Sequence, residues 1–118
     1  MSEAVAYNSF AVQAGQDINL DFTITDSAGS AVNLNGATVR FAAARTVGST
    51  PVLDTTASPQ TATITFSSPI SNTFTASIKD TDSDGLRGDY YYEVKITDSS
   101  GNEAISNRGI ITFEQALT

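Results

Sequence analysis

The feature that most constrains this chain is a two-residue alternation of apolar and polar side chains that recurs from one end to the other. In 18–25 the apolar residues Ile18, Leu20, Phe22 and Ile24 alternate with Asn19, Asp21, Thr23 and Thr25. Val39, Phe41 and Ala43 follow the same period, as do 61–66 and 73–78. Tyr90, Tyr92, Val94 and Ile96 share one face of a further segment, Tyr91, Glu93, Lys95 and Thr97 the other, and Ile111 and Phe113 close the series. Period two puts alternate side chains on opposite faces of a strand, so each segment has one face to bury and one to solvate. No stretch carries comparable helical spacing, and helix is expected to amount to a turn at most.

Turn chemistry falls between these runs. Asp26-Ser27-Ala28-Gly29 and Asp98-Ser99-Ser100-Gly101 use the same device, a short side chain that hydrogen-bonds its own backbone and a glycine free to take positive φ. Segments 46–51 and 67–71 read as Ser/Pro loops. About eight short strands at regular spacing predict one all-β domain over 1–118, an antiparallel sandwich of immunoglobulin-like type. Its expected core is Phe22, Phe41, Ile64, Phe66, Phe74, Ile78, Tyr92, Val94 and Ile96.

The residue inventory narrows the function. Cysteine and histidine are absent, which removes disulfides, the Ser-His and Cys-His nucleophile systems and the common zinc sites. The net charge is −7 and the six basic residues are scattered, which argues against nucleic acid as a partner. Charged residues make up 16% of the chain, whereas about 25% is usual. No apolar run approaches the roughly 18 residues of a membrane span. The opening Met1-Ser2-Glu3-Ala4 lacks a basic region, so synthesis and assembly in the cytoplasm are expected. Paired carboxylates are the remaining route to catalysis, and the acids lie mostly in turns or at outward strand positions. The expectation is a non-enzyme without a cofactor.

One segment, 80–91, admits several readings. Asp80, Asp82, Asp84 and Gly85 open it as a calcium loop would, but Tyr91 stands where an EF-hand needs a bidentate glutamate, leaving a non-EF site from Asp80, Asp82, Asp84 and Asp89 as the calcium alternative. Arg87-Gly88-Asp89 matches an adhesive tripeptide by sequence alone. The structural reading makes Gly88, Tyr90 and Tyr92 a tyrosine corner. Tyr90 would be buried with its hydroxyl bonded to backbone in the 80–88 turn, and Tyr92 would fill the space that a disulfide occupies in immunoglobulin domains. Tyr91, on the opposite face, could serve as a sugar-stacking ring.

Segments 20–29, 32–41 and 88–102 carry a further resemblance. An extended run, an Asp-x-x-Gly turn, Val32-x-Leu34-x-Gly36, a second run and Gly88-x-Tyr90 follow one another in an order similar to small immunoglobulin-like structural proteins of tailed bacteriophages. The pattern resembles the N-terminal domain of baseplate upper proteins and related head or tail accessory proteins. That resemblance implies a non-catalytic virion component, assembled in the host cytoplasm against a major virion protein and as a homo-oligomer, with a trimer natural at capsid threefold positions. Baseplate members carry a further domain, so a chain ending at Thr118 favours a capsid decoration protein over a tail, head–tail or baseplate accessory. A carbohydrate-binding or bacterial surface adhesion module is the alternative of another class.

A sandwich has edge strands, and Pro51, Pro59 and Pro69 all lie in the middle of the chain. The terminal strands therefore lack proline as a block to pairing. Tyr7, Phe10 and Val12 in the first strand and Ile110, Thr112 and Glu114 in the last are the expected docking residues.

Overall fold

The computed structural model describes residues 6–26 and 28–115, with Ala6 and Tyr7 described by backbone alone; the Tyr7 side chain, a docking candidate, lies outside the described residues. Eight strands and one helical turn follow in the order β1 (Ala6–Gln13), β2 (Ile18–Thr23), β3 (Thr38–Ala44), β4 (Leu53–Asp54), β5 (Thr63–Phe66), β6 (Thr73–Ile78), α1 (Asp80–Ser83), β7 (Gly88–Thr97) and β8 (Glu103–Glu114). They form a five-stranded sheet, β1-β8-β7-β3-β4, facing a three-stranded sheet, β2-β6-β5.

The alternation becomes burial directly. Ile18, Leu20 and Phe22 of β2 are buried, and their polar neighbours are exposed. In β7 Tyr90, Tyr92, Val94 and Ile96 are buried, whereas Tyr91 is 46% exposed. The two sheets meet in an aromatic cluster. Phe22 stacks on Phe74 at 5.2 Å between ring centroids, and Tyr92 lies 5.7 Å from Phe10, 5.7 Å from Phe41 and 5.9 Å from Phe22. Ile64 and Phe66 are only partly buried, because β5 is the outer strand of the smaller sheet. Leu34 and Leu53 complete the core from a loop and a two-residue strand, where no alternation announces them.

The two Asp–Gly turns share a set of hydrogen bonds. Asp26 Oδ1 accepts from the Ala28 and Ser30 N–H groups, and Asp98 Oδ1 accepts from Ser100 and Asn102. Gly29 and Gly101 donate to the carbonyls of Asp26 and Asp98, at φ of 84° and 88°. These side-chain bonds hold the Asp98 carboxyl below its ordinary pKa, the Asn102 N–H contributing most.

Two sequence expectations are corrected here. The sandwich is not antiparallel throughout, because β1 runs parallel to β8. The chain leaves β1 for the other sheet through 14–17, so no hairpin fixes the direction of this pair. Nor is β8 an edge: β7 takes one side of it and β1 the other. Ile110, Thr112 and Glu114 therefore sit on an interior strand whose backbone is paired on both sides. Phe10 and Val12 lie on β1, which is an edge, and both side chains pack against the core.

Phe41 is fully buried between both sheets, and Phe41→Ala is expected to cost about 3–5 kcal/mol through lost transfer energy and a residual cavity. Urea denaturation of the two proteins checks this; an unchanged midpoint would contradict the core assignment.

Candidate interaction surface

The edge strand β1 is held to the sandwich by a small set of residues. A bulge at Val94/Lys95 inserts Ser106 into β8, so that Ser106 and Asn107 are buried in succession. Ser106 Oγ lies 2.8 Å from Asn107 Oδ1, and Asn107 Nδ2 donates to Asn8 Oδ1 at 3.2 Å. Two residues on, Gly109 lets the main chains of β1 and β8 approach. A Cβ built there would collide with the Asn8 carbonyl oxygen and stand 3.0 Å from Tyr92 Cε2. Through that gap the Tyr92 hydroxyl donates to the Asn8 carbonyl at 2.9 Å. A buried phenol needs such a partner, and burial pushes its pKa up to about 12.

The tyrosine corner is thereby corrected. Tyr90 is buried, but its hydroxyl makes no hydrogen bond to the 80–88 turn among the described residues. Instead the Arg45 guanidinium lies 4.5 Å over the Tyr90 ring and donates to the carbonyls of Arg87 and Asp89, closing the start of β7. Gly88 provides the tight approach, its hypothetical Cβ lying 3.1 Å from Arg45 Nη1. The phenol that bonds backbone is Tyr92, and its target is β1.

The acidic segment forms a helical turn rather than a cage. Ser83, fully buried, accepts from the Gly15 N–H and donates to the Gln16 carbonyl, stapling α1 to the β1–β2 turn. The side chain of Asp80 accepts from the Thr81 N–H, and Asp89 Oδ1 accepts from Thr112 Oγ1 at 2.7 Å. Among the described residues no three acids converge on one point, so Asp80, Asp82, Asp84 and Asp89 are not brought together as a calcium site. Other carboxylates are likewise engaged: Asp21 with Thr75, Glu93 with Arg108, and Asp54 in a two-point contact with Arg40 that draws its pKa down to about 2.

The outer face of the five-stranded sheet carries a largely apolar groove of about 530 Å³. Ala42, Ala44, Tyr91 and Ile110 line it from the strands, Val47 and Pro51 from the β3–β4 loop, and Ser9 at the β1 side. Val47 is 82% exposed. The ion pair between Arg108 and Glu93 (2.6 Å) lies within the groove. Sequence reasoning singled out Tyr91 but missed the groove, because its lining comes from four strands and a loop whose neighbourhood no local pattern encodes.

No family model and no curated protein matches the chain. Among solved structures, the crystal structure of DIP-gamma IG1+IG2 is similar over 98% of this chain, with a TM-score of 0.54 and 12% identity. This chain spans 50% of the length of that one. At that identity the likeness shows the fold alone: the chain is an immunoglobulin-like β-sandwich.

Replacing Tyr92 with Phe is expected to cost about 1 kcal/mol through the lost hydroxyl bond, whereas Tyr90→Phe is nearly silent. The sign with pH follows from the raised pKa. The unfolded phenol ionises near 10 and the folded one near 12, so the contribution is fully present below about pH 10 and lost as pH rises to about 12. Thermal melts from pH 8 to 12 check this: Tyr92→Phe flattens the alkaline limb, and an unaltered limb would contradict the assignment.

Proposed function

We propose that this domain is a non-catalytic structural component of a virion, a decoration protein of a tailed-phage capsid that docks on its neighbours through β1. The observation that carries the docking mode is the character of that edge. Of the four edge strands, β4 has two residues and β5 four, and β2 carries Asp21. β1 has eight residues, with no proline and no charge. Long uncharged edges invite pairing with another chain, and proteins normally block them. The resemblance to phage accessory proteins supplies the setting, a cytoplasmically assembled lattice in which such an edge is covered. In a capsid, three copies around a threefold axis satisfy closed symmetry.

Binding to particles that lack the protein tests this reading. Purified chain added at micromolar concentration is expected to occupy a fixed number of sites on heads, counted by electron microscopy. Ser9→Pro is expected to abolish binding while leaving the melting temperature almost unchanged, since edge strands tolerate proline where the N–H faces outward. Occupancy of tails instead would make it a tail or baseplate accessory. No binding to either part, together with glycan affinity lost in Tyr91→Ala, would replace the virion reading with the carbohydrate-binding one.

A further inference from the structure

The edge of β1 and the groove beside it form one continuous surface, and together they specify what occupies it. Ala14, next after β1, donates its N–H to the Glu114 carbonyl at 2.9 Å. In a parallel ladder alternate residues point both backbone groups the same way, so Asn8, Phe10 and Val12 also address β8. Ser9, Ala11 and Gln13 therefore turn their N–H and C=O groups to the open side. Side chains opposite one another on paired strands share a face. A residue added opposite Ser9 would project onto the outer face of the sheet, at the mouth of the groove that Ser9 itself lines.

We propose that β1 accepts an extended segment of a different, basic protein as a ninth strand, with a large apolar side chain opposite Ser9 seated in the groove and a lysine or arginine opposite Gln13. This rests on the reading of β1 as the docking edge and names the partner's chemistry. The apolar anchor follows from the lining: Ala42, Ala44, Val47 and Ile110 offer carbon surface, and the one ion pair among them, Glu93 with Arg108, is internally neutralised. The cation follows from the charge further along. Gln13 is in register with Glu114, an exposed acid, and Asp89 is in register with Thr112 two residues before it. Arg45, which reaches the main chain beside Asp89, is engaged by the carbonyls of Arg87 and Asp89. A net charge of −7 favours a basic partner over a second copy of this chain. Main-chain bonds would then supply affinity and the anchor and cation specificity, as in strand addition generally.

An eight-residue threonine-rich peptide, with leucine sixth and lysine second, places these two groups correctly for antiparallel pairing. Titrated into the isotopically labelled chain, it is expected to bind saturably and to protect the amides of Ser9, Ala11 and Gln13 from hydrogen exchange. Alanine in place of the leucine is expected to weaken binding about tenfold or more, and glutamate in place of the lysine severalfold, a preference that Glu114→Lys reverses. Equal binding of all three peptides would overturn the proposal, as would dimerisation of the chain alone with the same amides protected. Particle binding that Ser9→Pro abolishes, without peptide binding, would retain the docking edge and discard the anchor chemistry; failure of both assays would discard both.

Discussion

The hydrogen bond from the Tyr92 hydroxyl to the Asn8 carbonyl, made through the space that Gly109 leaves open, is the contact on which the arrangement of this sandwich depends. Tyr92 stands at the centre of the aromatic cluster, so one side chain serves both the core and the attachment of β1. The ring contributes burial, and the hydroxyl demands a polar partner in a place where solvent cannot supply one. Asn8 meets that demand because β1 lies close against β8 at Gly109. The Ser106 bulge adds a second tether by turning Asn107 inward towards the same residue. The side-chain hydrogen bonds that tether β1 thus converge on Asn8, beside the main-chain pairing with β8 and the packing of Phe10 and Val12, while the outward half of the β1 backbone is left without a partner among the described residues.

That asymmetry connects fold to function. A strand fixed on one side by buried polar contacts and uncharged along its length is a preformed template for another strand, with little ordering entropy left to lose on binding. The other edges offer less: β4 is short, and Asp21 sits on β2. At the opposite side of the larger sheet, Arg40 and Asp54 bind each other across β3 and β4 at 2.6 Å. Such a surface pair contributes little net stability, but it leaves that edge charged. One edge is therefore suited to association and the rest are discouraged from it.

Much of the fold was legible in the chain because alternation translates directly into burial where a strand has one wet face. β2, β6 and β7 follow the pattern residue by residue, and the paired Asp–Gly turns are local chemistry that needs no tertiary context. The direction of β1 was not legible, since parallel and antiparallel partners demand the same side chains on the same face. Nor was its neighbour legible: because β1 lies beside β8, that strand is interior, and Ile110, Thr112 and Glu114 do not sit at an edge. The corner failed for a related reason: Tyr90 and Tyr92 are both inward on β7, and only the position of Asn8 decides which hydroxyl finds a carbonyl. Arg45 and Ser83 act across 42 or more residues, and Leu53 from a strand of two residues. No periodicity could have marked them.

Hydrogen exchange along β1 tests the central claim most directly. The amides of Asn8, Phe10, Val12 and Ala14 should be protected in the isolated chain, and those of Ser9, Ala11 and Gln13 should exchange freely. Gly109→Ala, which forces the Asn8 carbonyl away, should remove the protection from the first set while leaving Phe41 and Val94 protected in the neighbouring strands. Equal protection of both sets, or β1 protection that survives Gly109→Ala unchanged, would contradict the account.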